Sequence, residues 1–280
     1  MLLETRNLEL GYGERPVVQD LTLELVPGSM VAIIGANGSG KSTILKALAR
    51  SLPPDKGVVY LDGQSLHKWP RRTLARSLTL LPQVHTLPED LTVQDLVSFG
   101  RYPHRGAPGN DRTKDQEAIR QALRLTNMEQ FGGRLLTRLS GGERQRAWLA
   151  LSLAQEPSVL LLDEPTTFLD IRYQFEILDL VKELNRDLGL TVAMVLHDLN
   201  HAARYAGRII VIRDGRIMAD GQPEEVIETR VLRDAFGIEG VVTWECGYPH
   251  LIPTGTCSRQ QRDTQATGME DRNPTLSALH

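Results

Sequence analysis

Cysteine is nearly absent from these 280 residues. Cys246 and Cys257 are the whole complement, too few for a disulfide framework, and no zinc-ligand spacing accompanies them. Both read as incidental thiols in a reducing compartment. Long apolar runs are missing too, since nothing approaches the roughly 18 consecutive apolar residues that span a bilayer. The best runs, Met30 to Ile34 and Val159 to Leu162, are strand-length. The opening MLLETRNLEL carries an acid at Glu4 and alternates like a strand, so it does not read as a signal peptide. The chain is expected to be soluble. No charge of one sign dominates: 32 basic against 35 acidic residues leave a formal charge of -3, and no nucleic-acid partner is expected. The local cluster Arg71, Arg72 and Arg76 reads as a solvated helix face. No internal repeat is visible.

What remains is globular. Hydrophobic residues at 41% and charged residues at 24% exclude disordered and collagen-like classes. The length suits one larger α/β domain or two average ones, and roughly three quarters of the unfolded surface can be buried. Period-two patterns at Leu8–Leu10 and Leu21–Leu25 predict strands, the second ending at the turn Pro27-Gly28. Met30 to Gly35 reads as a fully buried strand, and Lys41 to Ser51 as a helix with Ile44, Leu45 and Leu48 on one face. Further strands are expected at 58–61, 78–81, 159–162, 192–196 and 208–213, alternating with helices around a parallel sheet. Between about 87 and 155 the strand signal stops. Leu91 to Gly100, Asp115 to Leu125 and Gly142 to Gln155 read as helices of an inserted subdomain, broken by a turn-rich stretch from Pro103 to Asn110. Arg213-Asp214-Gly215-Arg216 predicts a hairpin. A boundary is expected after 253, with 254–280 a disordered tail.

Gly35-Ala36-Asn37-Gly38-Ser39-Gly40-Lys41-Ser42, followed by Thr43, matches the phosphate-loop pattern G-x-x-x-x-G-K-[ST]. Glycines let backbone N–H groups turn toward one point, and the helix starting near Lys41 adds its positive dipole end there. In that pattern Lys41 reaches the β- and γ-phosphates and the Ser42 hydroxyl ligates Mg²⁺. A buried strand before and a helix after supply the required context. Val159 to Pro165 is a second buried strand, ending in Asp163 and Glu164 at the edge where α/β sheets bind ligands. Adjacent acids also cap segments; beside a phosphate loop, Asp163 is placed to hold Mg²⁺ and Glu164 to polarise an attacking water.

Leu139-Ser140-Gly141-Gly142-Glu143-Arg144-Gln145-Arg146 closely resembles the signature motif of ATP-binding-cassette (ABC) ATPases. As local structure it is a helix N-cap, Ser140 capping and Glu143 closing the box; the Gly141-Gly142 pair, which a cap does not need, is read as opening the helix end to a partner's phosphate. The resemblance covers roughly residues 2 to 253. It implies a P-loop NTPase core with a mixed sheet, an N-terminal antiparallel β part and an inserted α-helical subdomain, and it implies ATP hydrolysis coupled to transmembrane transport, with ATP and Mg²⁺ bound. Tyr12, which by itself reads equally as a surface turn residue, takes the place of the aromatic that stacks on adenine. Gln83 resembles the glutamine that contacts Mg²⁺ and the attacking water. Leu169-Asp170 matches the end of the loop crossing the dimer interface, and His197 resembles the switch histidine that contacts the γ-phosphate.

The same resemblance implies a head-to-tail dimer of two copies, each ATP held between Gly35 to Thr43 of one and Ser140 to Gly142 of the other. It implies a separate integral-membrane permease, an indirectly linked substrate-binding protein and a peripheral position on the cytoplasmic face of the cell membrane. Thr166-Thr167-Phe168, the stretch from His197 to Tyr205 and Val97 to Pro103 look like ATPases of iron–siderophore, haem and cobalamin importers, iron–siderophore being favoured. Alternatives are a cassette ATPase of DNA repair or translation, and an exporter ATPase with a separate pore.

Overall fold

The computed structural model describes residues 1–83, 90–106 and 112–257. Alternating burial along the first 25 residues builds an antiparallel ribbon, β1 (Leu3–Tyr12) and β2 (Arg15–Leu25), its inward row formed by Leu3, Leu8, Leu10, Leu21, Leu23 and Leu25. After the turn at Pro27-Gly28 come β3 (Met30–Ile34), α1 (Lys41–Leu48), β4 (Lys56–Leu61), β5 (Gln64–Ser65), α2 (Arg71–Ser77) and β6 (Leu78–Leu81). Three helices follow: α3 (Val93–Phe99), α4 (Arg112–Leu125) and α5 (Gly141–Ala154). The chain then alternates through β7 (Val159–Asp163), α6 (Ile171–Leu188), β8 (Thr191–Val195), α7 (Leu199–Tyr205), β9 (Arg208–Arg213) and β10 (Arg216–Gly221). It closes with α8 (Pro223–Val226), α9 (Thr229–Phe236), β11 (Ile238–Glu245) and β12 (Tyr248–Thr256).

The main sheet has the order β10-β9-β3-β8-β7-β6, parallel except for the β9–β10 hairpin, and a second sheet has the order β2-β1-β4-β5. The continuous apolar strands behave as expected of strands covered on both faces. Met30, Ala32 and Ile34 join one hydrophobic cluster, while Val31 and Ile33 join the other; β7, β8 and β9 divide in the same way. One cluster lies under α3 to α7, and the other packs α1 and the antiparallel sheet against the opposite face.

Several boundaries differ from expectation. The first helix stops at Leu48, because Arg50 turns to a φ of 56°. The helix expected from Leu91 starts at Val93, where Thr92 and Asp95 form a reciprocal capping box. Ladder pairing of β12 with β11 continues to Thr256, so the boundary expected after 253 falls inside a strand; residues 258–280 of the expected tail lie outside the described residues. Residues 107–110 of the expected break do too. The β11–β12 hairpin was not legible beforehand, since Pro249 and Pro253 speak against a strand and are tolerated only because this two-stranded sheet is all edge. The arginine cluster is also more than a solvated face. Arg76 donates from Nε and Nη2 to the Pro103 carbonyl at 3.0 and 2.8 Å, tying α2 to the turns that follow α3. Nearby, Arg101, only 4% exposed, binds Asp115, Glu156 and the Ala154 carbonyl, and so joins the start of α4 to the end of α5. No helix among the described residues is long and apolar enough to cross a membrane.

Candidate active site

Strand register brings the motif residues together. Ile33 on β3 and Asp163 on β7 both pair with Val195 of β8, so the three strands end level. Gly35, Glu164 and His197 therefore leave the same sheet edge, His197 from the strand lying between the other two. Gln83 leaves β6, on the far side of β7, at the same edge. Together they border a cleft of about 870 Å³ whose lining includes Tyr12, Asn37, Lys41, Gln83, Glu164 and His197.

The phosphate loop is built on glycine for steric reasons. Gly35 has a φ of 153°, and a Cβ there would lie 2.2 Å from the Ile212 carbonyl oxygen of β9. Gly40, at a φ of 106°, lies where a Cβ would meet Val18 of β2 at 2.9 Å. Lys41 is buried, and its ammonium donates to the carbonyls of Gly35 and Ala36 at 2.9 and 3.0 Å. Burial lowers its pKa, against the opposing pull of Glu164 and Asp163. Ser39 Oγ, also buried in this loop, has no hydrogen-bond partner among the described residues. Ser42 donates to Asp163 Oδ1 at 2.7 Å across the β3–β7 gap. Burial raises the Asp163 pKa, and the Ser42 hydrogen bond only partly offsets it.

Glu164 gathers the remaining groups. His197 Nε2 lies 2.5 Å from its Oε1; Gln83 Nε2 donates to Oε2 at 2.5 Å, and Thr167 Oγ1 donates to the same oxygen at 3.0 Å. Glu164 has a φ of 53°, an uncommon conformation for a non-glycine residue. Tyr12 is half exposed at the mouth of the cleft, beside Arg15.

The signature segment lies elsewhere. Ser140, Gly141, Gly142 and Glu143 do not line the cleft, and neither does Asp170. Ser140 caps α5 in a complete capping box, with its N–H donating to Glu143 at 2.7 Å and its hydroxyl accepting from the Glu143 N–H at 3.3 Å. Asp170 caps α6 by accepting from the Tyr173 N–H. Gly142 also has a purely structural reason: a Cβ there would lie 2.3 Å from the Tyr173 ring, whereas Gly141 meets nothing closer than Leu169 at 3.4 Å. Gly142→Ala is expected to cost about 1–3 kcal/mol by overpacking, and Gly142→Ala with Tyr173→Ala is expected to cost less than the sum of the two single changes. Chemical denaturation of the three variants measures this; additive costs would disprove the contact.

Sequence reading missed the part of the cleft wall where Val17 and Gln19 of β2 meet the β9–β10 turn. The Gln19 N–H donates to the Gly215 carbonyl at 3.0 Å, and a Cβ on Gly215 would lie 2.2 Å from the Val17 carbonyl oxygen. The Asp-Gly turn itself was legible, but its partner about 200 residues earlier was not. Thr167 was noticed as unusual composition, without its contact to Glu164.

Comparison with known proteins agrees with this geometry. A family model for the ABC transporter matches residues 18–167. The ferric enterobactin transport ATP-binding protein FepC of Escherichia coli (strain K12) is 44% identical over 255 residues, covering 90% of this chain and 94% of the relative. An inward-facing conformation of a putative metal-chelate type ABC transporter aligns with a TM-score of 0.77 at 26% identity, over 90% of this chain and 96% of that one. The dimeric structure of MJ0796, a bacterial ABC transporter cassette, aligns with a TM-score of 0.69 at 30% identity, over 79% and 98%.

Proposed function

The chain belongs to the ABC transporter ATPase family, and from that premise we propose that it is the ATP-binding and hydrolysing subunit of an importer of iron–siderophore-type chelates. The observation that carries this reading is that the phosphate loop, Asp163, Glu164, Gln83 and His197 gather at one sheet edge, while the Ser140 helix end does not line their cleft. One chain thus holds two half-sites. A head-to-tail pair related by two-fold symmetry joins them, each ATP lying between Gly35 to Thr43 of one copy and Ser140 to Gly142 of the other. The dimeric cassette of the same fold supports that arrangement.

Within each site, Tyr12 stacks on the base, the loop amides and Lys41 hold the phosphates, and Glu164 accepts the proton of the attacking water. The water oxygen bonds to the γ-phosphorus as the bond to the ADP oxygen breaks. His197 contacts the γ-phosphate. Ser42, Asp163 and Gln83 would hold Mg²⁺, which when bound draws charge from the phosphate oxygens. Their hard oxygen donors suit it, and a cation beside Asp163 opposes the burial that favours its protonated form. Among the described residues no group of three or more acidic, His or Cys side chains is gathered to hold a metal.

Closing and opening of the dimer with ATP turnover moves a separate permease between inward- and outward-facing states, at the cytoplasmic face of the membrane. The cargo assignment rests on the ferric enterobactin relative and the metal-chelate neighbour. Affinity capture of the tagged chain from gently solubilised native membranes, with mass spectrometry, is expected to recover a polytopic permease. Recovery of ribosomal or DNA-repair proteins without any membrane protein would leave the ATPase chemistry standing and overturn the transport role.

A further inference from the structure

The loop after β7 folds back on its first residue. Glu164 at a φ of 53° and Phe168 at 64° are both left-handed, and between them the Thr167 N–H donates to the Glu164 carbonyl at 3.3 Å. The Leu169 N–H donates to the Thr166 carbonyl at 3.3 Å, closing a second turn. This compact path sets the half-buried Thr167 over the Glu164 carboxylate, with Oγ1 3.0 Å from Oε2. Phe168 is left 91% exposed on the outside of the loop.

The three donors on Glu164 differ in how tightly they are bound to it. Gln83 and His197 arrive from other strands, Gln83 is exposed, and His197 is 42% exposed at its side chain. Both also face the cleft, where a nucleotide would draw them away. Thr167 alone is held to Glu164 by their shared turn and does not line the cleft. Resting on the ATPase reading above, we propose that Thr167 is a positioning residue that anchors the Glu164 carboxylate through Oε2. Oε1 then stays aimed at the cleft and takes the water's proton once His197 has turned to the phosphate. A hydroxyl is suited to this role: it donates to an ionised carboxylate at an energy above that of a neutral pair. Its rotamer is limited by β-branching and by the turn.

Steady-state ATP hydrolysis by the full chain tests the assignment. T167V keeps the shape and removes the donor, and it is expected to lower kcat on the order of tenfold or more while KM for ATP stays within about twofold. T167S, which keeps the hydroxyl, is expected to restore most of the loss. In an E164Q background, which lacks the carboxylate to be aimed, T167V is expected to cost nothing further. Wild-type kcat in T167V, a KM rise that accounts for the loss, failure of T167S to rescue, or a full further loss in the E164Q background would each overturn the role of Thr167. Failure of the ATPase reading is separate and visible in E164Q alone, as wild-type turnover.

Discussion

Glu164→Gln is expected to slow ATP turnover by a factor on the order of 10²–10⁴, the usual worth of a general base, with ATP binding retained. The structure explains why the fold should tolerate the change. The glutamine amide oxygen can take the place of Oε2 and accept from Gln83 Nε2 and Thr167 Oγ1, both of which are donors. Its NH₂ then faces His197 Nε2, and the imidazole can meet it as an acceptor by changing tautomer. Only proton acceptance is lost. A variant that binds ATP without hydrolysing it is expected to accumulate as an ATP-held dimer, visible by light scattering after gel filtration. Undiminished steady-state hydrolysis would remove Glu164 from its assigned role.

Lys41→Ala is expected to weaken ATP binding by a factor on the order of 10²–10³, the range found when one partner of a buried hydrogen-bonded charge pair is truncated. Its effect on the empty protein has a different size. Lys41 is 4% exposed, and its ammonium is satisfied by the Gly35 and Ala36 carbonyls and destabilised as a cation by burial. Glu164 and Asp163 offset the desolvation of this charge only in part, so removing it sacrifices little folding energy. The melting temperature without nucleotide is therefore expected to stay near that of the wild type, while the rise produced by ATP disappears. Calorimetric titration and thermal scans measure both quantities. Unchanged ATP affinity would refute the phosphate-loop reading, and a large loss of stability without nucleotide would show that Lys41 is mainly structural.

Much of this site could be read along the chain because its parts are contiguous. Met30 to Thr43 and Val159 to Pro165 each carry their own strand, turn and chemistry in one short unbroken stretch, so periodicity and residue type suffice. The helical stretch and the Asp214-Gly215 turn were legible for the same reason: capping, spacing and turn chemistry are local. Where local rules were contradicted, as by Pro249 and Pro253 in β12, reading failed and a pairing partner decided the outcome.

The sequence by itself marked the phosphate-loop and β7-end residues as candidates for chemistry and indicated most strands and helices ahead of the β11–β12 hairpin, since those depend on side-chain type and on periods of two and 3.6 residues. Only the tertiary structure decided that β8 lies between β3 and β7, which sets His197 between the phosphate loop and Glu164. It alone brought β2 and the β9–β10 turn to the cleft that Lys41 lines, and the Tyr173 ring against Gly142. It alone turned Glu164 to a positive φ that brings Thr167 within hydrogen-bond reach. These are long-range or conformational facts, set by burying both faces of one sheet at once, and no local pattern encodes them.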